Sequence, residues 1–279
     1  MACQSNDEFG YPSFDEHGVM PLTNTTDLYP HMLQNITVLR KKQGEDFALL
    51  HPKEEMAILL IEGSVSYQWG NRDVTAARRG PLGDPAYCLH VCRGTPVRLR
   101  AESDSEILVQ RTANERTFDP VLYTTKNTRC ETFGQGQFEG KAQRTVRTFF
   151  DIENAPYSNM VCGEILIPQG GWSSYPPHMH PHPEVYYYRF GHPNGFGACF
   201  LDDAAYMIRD RSFAAVPGGK YHPQVNAPGY PMMYVWMIRH FEGYPWTERN
   251  FAPAHQWLLE RVDTNAQRPS AGGFSAVVR

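Results

Sequence analysis

The residues with most chemical promise lie in the second half of the chain, in the string Pro177-His178-Met179-His180-Pro181-His182-Pro183-Glu184 and, further on, Pro217-Gly218-Gly219-Lys220-Tyr221-His222. Side chains on an extended segment alternate with period two, so His178 and His180 project to the same side. Glu184 just beyond them, and His222 from a neighbouring strand, can close a shell around one ion. Imidazole nitrogen with one carboxylate oxygen suits a single divalent metal, zinc first, with Mn, Fe, Co or Ni also compatible, because ligand types alone do not choose. A His-x-His pair by itself can be a surface accident. The added glutamate and the Pro-x-Gly-x-x-His segment are what favour a metal site. His182, between the pair and the glutamate, can be a loop residue, a proton carrier or a substitute ligand.

Such a shell needs rigid extended elements to hold it. The 279 residues include 23 glycines and 22 prolines, which punctuate short runs rich in Val, Ile, Tyr, Phe and Trp. Examples are 57–61, 65–69, 161–167, 185–190, 196–201 and 232–238. Short strands at regular spacing between turn signals predict an all-β sandwich or barrel. One helix is expected, at 254–262, where apolar Trp257, Leu258 and Val262 follow Pro253, placed outside a barrel. The pattern occurs twice: a strand-rich block at 35–112, a polar turn-rich stretch near 112–140, and a second strand-rich block at 145–243. The expectation is two tandem barrels with few helices. Residues 1–140 form a barrel without metal ligands, since His51 and His90 stand alone there, and residues 141–279 form the metal-binding barrel with the late helix.

Composition narrows the partners. Hydrophobic residues make up 41% and charged residues 20%, with a net charge of −4. A chain of this length buries enough surface to fold without staples. A nucleic-acid partner usually leaves a basic footprint, and none is present. No run approaches the roughly 18 apolar residues of a membrane helix. The N-terminal letters lack the basic start and apolar core of a signal peptide. Cys3, Cys88, Cys92, Cys130, Cys162 and Cys199 are scattered, so reduced thiols and a cytoplasmic setting are expected. A second metal at Cys88 and Cys92 is disfavoured against buried free thiols. An aromatic fraction of 13% suggests a surface for homo-oligomer formation.

The second block resembles a cupin. That family's first motif runs His-x-His, three or four residues, Glu, six residues, Gly, and this chain has His178, His180, Glu184 and Gly191. The second motif, Pro-x-Gly-x-x-His-x-x-x-Asn, is met by Pro217, Gly219, His222 and Asn226. Six residues separate Gly171 from His178, one more than in the family pattern. The fold this implies is a bicupin, two double-stranded β-helix barrels in tandem. The stretches WSSYPPHMHPHPEVYYYRF, PGGKYHP and MMYVWMIRH resemble, more narrowly, the 5-deoxy-glucuronate isomerases of myo-inositol catabolism, most densely from Val161 to His240. The resemblance implies an aldose–ketose isomerase acting on a small uronate-type sugar acid and yielding 2-deoxy-5-keto-gluconate. Related ketol-isomerases of 4-deoxy-5-hexulose uronate carry one more residue before the glutamate, so the shorter gap here favours the first group. A cupin dioxygenase is the remaining alternative, and a non-enzymatic sugar-binding bicupin is disfavoured by the intact ligand set.

Isomerisation moves a proton between adjacent carbons and places negative charge on oxygen. A divalent ion can stabilise that charge as a Lewis acid, and a group with pKa near 7 can carry the proton. If Glu184 points into the barrel, Tyr186, Tyr188 and Phe190 do so too, while Val185, Tyr187 and Arg189 point out. Tyr186 and Tyr188 are thus candidate catalytic groups as well as barrel filling. Glu164, a carboxylate in the apolar run MVCGEILIP, is a further candidate, because burying it needs a reason. Gln224 shares a side with His222. Arg147, Lys220 and Arg239 lie near the pocket segments and are candidates for gripping a substrate carboxylate, for which arginine is preferred.

Overall fold

The computed structural model describes residues 8–83 and 85–261. The cysteine Cys3, the last helical candidate Val262 and the first seven residues, on which the signal-peptide expectation partly rests, lie outside the described residues.

The chain forms two antiparallel barrels. The first is built from a sheet ordered Val121–Tyr123, Tyr87–Val91, Glu54–Trp69, Ser105–Ala113, Asn35–Lys41 and Val19–Thr23. Its second wall comes from Asp46–Leu49, Val97–Ala101 and Arg72–Arg78. Glu54–Trp69 is one strand of 16 residues that runs through both walls, where the sequence suggested two. It can turn the corner because pairing slips between Leu60 and Glu62 and Gly63 sits at φ 101°. A side chain at Gly63 would strike Ser105 and the Asp104 carbonyl, so only glycine fits.

The second barrel has a sheet ordered Phe9–Gly10, Phe213–Val216, Glu184–Phe190, Met232–Arg239, Met160–Ile167, Arg144–Phe150 and Arg129–Phe133. It is faced by Trp172–Ser173, Gln224–Asn226, Phe196–Leu201 and Ala204–Arg209. Strand pairing therefore crosses residue 140: both Phe9–Gly10 and Arg129–Phe133 join the second sheet. The polar stretch near 112–140 hides strand residues because an edge strand needs only a half-buried pattern, as Arg129–Phe133 shows. The expected helix is a 3₁₀ segment, Pro253–Arg261, that buries Leu258 and leaves Trp257 exposed. No helix among the described residues is long and apolar enough to cross a membrane.

The large sheets of the two barrels pack back to back, which explains the continuous apolar runs: such strands are buried on both faces. In the first barrel Met56, Ile58 and Leu60 fill the interior, while Ala57, Leu59 and Ile61 face the second barrel. In Glu184–Phe190, Tyr186, Tyr188 and Phe190 fill the second barrel, while Val185 and Tyr187 pack on the first. Pairing across this seam is also polar: Gln34 and Gln110 donate to the carbonyls of Met237 and Val161, both at 3.1 Å. Arg189 does point out of its barrel, but into the seam, where it pairs with Glu106, Glu62 and Asp210. His90 belongs to the seam as well, its ring 2.9 Å from the Glu55 carboxylate and stacked on Phe150. Five described cysteines are free thiols. Cys92 contacts Thr95, whereas Cys88 neighbours Cys162 from the other barrel, so Cys88 and Cys92 do not form a joint site.

Candidate metal centre and surrounding pocket

Three of the expected ligands converge at one end of the second barrel. His180, Glu184 and His222 are all buried and offer ligand atoms within 4.8 Å of one another. His178, on a short strand with Met179, stands outside that group, its ring edge-on to His222 at 5.0 Å. The segment carrying His222 is seated by its glycines. The Gly219 amide donates to the His180 carbonyl at 2.8 Å, and a side chain on Gly218 would collide with the Pro181 carbonyl. This close approach sets the His222 strand against the His180 loop. Gly218→Ala is expected to push the two apart and weaken metal binding about 10- to 100-fold, the range for groups that orient ligands. Metal titration of the folded variant would check it, and unchanged affinity would refute the positioning role. Asn226 closes the motif from below, accepting from the Gly171 amide at 2.8 Å and donating to the Pro168 and Tyr230 carbonyls.

The backbone fixes which imidazole nitrogen is bare. His178 Nδ1 meets the Pro176 carbonyl at 3.1 Å, His180 Nδ1 the His182 carbonyl at 2.9 Å, and His222 Nδ1 the Lys220 carbonyl at 2.8 Å. A carbonyl only accepts, so each Nδ1 carries the proton and each neutral ring keeps a lone pair on Nε2. His222 Nε2 is buried without a protein partner, 3.6 Å from Glu184 Oε2. His180 Nε2 lies 3.1 Å from the same oxygen. Lone pairs facing a carboxylate repel unless a cation lies among them, so this donor set fits a divalent metal ion. Burial pushes His178 well below the ordinary histidine value and His222 down to about 4, the latter against the opposing pull of the Glu184 charge. Burial alone would raise the Glu184 pKa, but the adjoining His180 and His222 rings and the Tyr186 hydroxyl outweigh it and hold the carboxyl low. All three groups are therefore in the unprotonated form that a metal requires.

The remaining pocket residues divide sharply. Tyr186 and Tyr188 are inside, as alternation required. The Tyr186 hydroxyl donates to Glu184 at 2.7 Å, and the Tyr188 hydroxyl is buried without a protein partner. Burial pushes both phenols well up, so they stay protonated and serve as donors. Gln224 is fully buried with both amide atoms unpartnered. His182 does not join the ligand group: its carbonyl orients His180, and its ring bonds the Tyr244 carbonyl at 2.7 Å and stacks on Phe241.

Glu164 is not in the pocket. Its side chain projects to the seam face of its strand, where Arg78 holds it bidentately at 2.8 and 3.1 Å and Arg147 at 2.7 Å. The apolar run concealed this because the compensating charge comes from the other barrel. Arg147 is likewise spent on Glu164 and does not reach the ligand cluster. Lys220 is held by Asp202 at 3.0 Å and Glu8 at 3.6 Å, and its contribution is the carbonyl that orients His222. Arg239 bonds Thr112 and the Asn159 carbonyl at the seam.

Sequence patterns missed the segment after the second barrel. Asn250–Phe251 pairs with His178–Met179, placing Phe251 against His178 at 5.8 Å, while Trp246 lies 5.7 Å from His180. No motif marks this segment, since its value comes only from that pairing. His240 anchors it by accepting from the Trp246 amide at 3.0 Å. Burial, then the charges of His182 and Arg239, push His240 down to about 4. Its unfolded form takes a proton near pH 6.5, before the folded form does, so stability falls as pH drops from 6.5 toward 4. The loss should approach about 3 kcal/mol. Denaturation midpoints of metal-free protein at pH 7.5 and 4.5 would test this. His240→Asn, which keeps an acceptor, should reduce the slope and leave the share due to His178 and His222, and an unaltered slope would refute the assignment.

With this geometry in hand, the relatives are informative. The family model described as KduI/IolB family matches residues 12–258. The 5-deoxy-glucuronate isomerase of Geobacillus thermodenitrificans (strain NG80-2) is 27% identical over 191 residues, covering 63% of this chain and 67% of that protein. The 5-deoxy-glucuronate isomerase of Bacillus subtilis (strain 168) is 24% identical over 249 residues, covering 80% of this chain and 87% of that protein. Among solved structures, an IolB-like protein from Salmonella typhimurium LT2 superposes with a TM-score of 0.73 at 22% identity, covering 81% of this chain and 90% of that one. Lactobacillus farciminis oxalate decarboxylase follows at a TM-score of 0.62 and 13% identity, over 93% of this chain and 92% of that one, a likeness of fold alone. The chain belongs to the KduI/IolB family and is an enzyme of the isomerase class.

Proposed function

We propose that this protein is a metal-dependent aldose–ketose isomerase that converts 5-deoxy-glucuronate to 2-deoxy-5-keto-gluconate, a step of myo-inositol breakdown. The observation that carries the reading is the converging His180–Glu184–His222 cluster, with the His178 ring next to His222, in a barrel whose Tyr186, Tyr188 and Gln224 side chains are buried inside. Relatives bearing the name 5-deoxy-glucuronate isomerase favour this substrate over other uronates. When bound, the ion would polarise a sugar carbonyl and the adjacent hydroxyl as a Lewis acid. Zinc is the first candidate, on donor type alone.

The protein's own groups supply the rest. Tyr188, kept protonated by burial, offers a hydrogen bond to a sugar oxygen that gains negative charge. Tyr186 holds the Glu184 carboxylate in one orientation. Gln224 offers both a donor and an acceptor to a sugar hydroxyl. Trp236, Trp246 and Tyr234 form an apolar wall that limits water around the reacting carbons.

The test is turnover of 5-deoxy-glucuronate by metal-stripped protein, without oxygen, as single divalent metals are restored. Ketose formation that returns with metal supports the assignment. Stoichiometric metal uptake without product removes this substrate and directs the assay to 4-deoxy-5-hexulose uronate. Product only in the presence of oxygen would mean a dioxygenase.

A further inference from the structure

We propose that Arg249, with Arg144 close by, grips the carboxylate of the substrate. The proposal rests on the isomerase reading above and adds the specificity determinant that Arg147, Lys220 and Arg239, whose side chains bond Glu164, Asp202 and Thr112 away from the ligand cluster, do not supply.

Register makes the first argument. His178 pairs with Phe251 and Met179 with Asn250, so one further step sets Arg249 opposite His180. Residues opposed in an antiparallel pair project to the same face, which places Arg249 on the face that carries His178 and His180. The flanking contacts agree, since Phe251 packs on His178 and Trp246 on His180. Arg249 lies within electrostatic reach of Glu184, Tyr186, Glu131 and Tyr234.

Arg144 makes the second. It is 8% exposed, donates to the Ala142 carbonyl at 2.9 Å and lies over the Phe133 ring. No carboxylate pairs with it among the described residues. Burial and then the nearby Arg249 push it down to about 10, while Tyr234 acts in the other direction. The Arg144 guanidinium, taken out of water with a second positive group nearby, is stabilised by an anion placed beside it. A carboxylate matches the planar fork of donors that each presents. The pair thus sits beside the ligand cluster, on the side of Tyr234, where a uronate whose carbonyl end meets the metal would direct its acid end.

Metal-loaded wild type and variants are titrated with D-glucuronate and with D-glucose, its neutral counterpart, following tryptophan fluorescence and heat. Wild type should prefer glucuronate. Arg249→Gln should weaken glucuronate about 10- to 100-fold, as expected for hydrogen bonds to a charged group, and leave glucose unchanged. Arg144→Gln should act in the same direction. Arg249→Lys and Arg144→Lys, which keep the charge without the fork, should fall between, and they carry the test if a glutamine variant does not fold. A wild type without preference, variants that bind glucuronate like wild type, or equal losses for both sugars would overturn the proposal. If glucuronate selectivity depends on Arg249 while 5-deoxy-glucuronate is not turned over, the grip stands and the substrate assignment falls. If 5-deoxy-glucuronate is turned over with an unchanged KM in Arg249→Gln, the reverse holds.

Discussion

Replacing His222 by alanine is expected to lower metal affinity by well over 10²-fold and to abolish isomerisation. Changes to groups that merely orient a ligand already cost about 10- to 100-fold, so loss of the ligand itself must exceed that. His222 Nε2 is buried, bare and 3.6 Å from the carboxylate of Glu184, so no neighbouring protein group replaces it. Tyr188→Phe is the informative companion. It leaves the ligand cluster intact, so metal content should stay stoichiometric while kcat falls. Metal analysis after dialysis, together with the anaerobic assay, distinguishes the two outcomes. His222→Ala protein that retains wild-type metal and activity would refute the centre. Tyr188→Phe with normal kcat would refute its donor role. Acidification should release metal from wild type, because protons compete for the imidazole lone pairs.

The second large effect lies far from the metal. Glu164→Gln should destabilise the protein by about 3–5 kcal/mol, the usual consequence of breaking a buried ion pair from one side. Both Glu164 and Arg78 have side chains that are 0% exposed. Arg78 spends its other donors on the carbonyls of Leu60, Pro81 and Gly83, so among the described residues its charge has no second carboxylate to turn to. Below its lowered unfolding transition, however, the variant should isomerise substrate at close to the wild-type rate. Denaturant melts paired with kinetics would decide. An undiminished melt with collapsed kcat would return Glu164 to the catalytic group. Arg78→Met combined with Glu164→Leu should recover part of the lost stability, since well-packed apolar residues often replace a buried pair at little cost.

The candidate metal centre was legible in the letters because most of its residues are local. His178, His180 and Glu184 lie within one extended segment, and the turn containing Pro217, Gly218 and Gly219 predicts where His222 enters. Period-two alternation likewise placed Tyr186 and Tyr188 inside the barrel and Arg189 outside it. Alternation reports a face, however, and not what covers that face. "Outward" for Arg189 and for Glu164 meant the seam with the other barrel, where their partners are Glu106 and Arg78. Those partners are 83 and 86 residues away in sequence, and no local pattern connects them.

Side-chain alternation and short-range turn chemistry account for the strand-rich double pattern, the candidate cluster of His180, Glu184 and His222, and the inward face of Tyr186 and Tyr188. The tertiary structure alone decided that the barrels pack back to back, that Glu164 and Arg147 neutralise charge at their seam, and that Arg249 returns beside His180. Those outcomes depend on which distant strands meet, and that choice is made by burying whole sheet faces together, a property no single segment encodes.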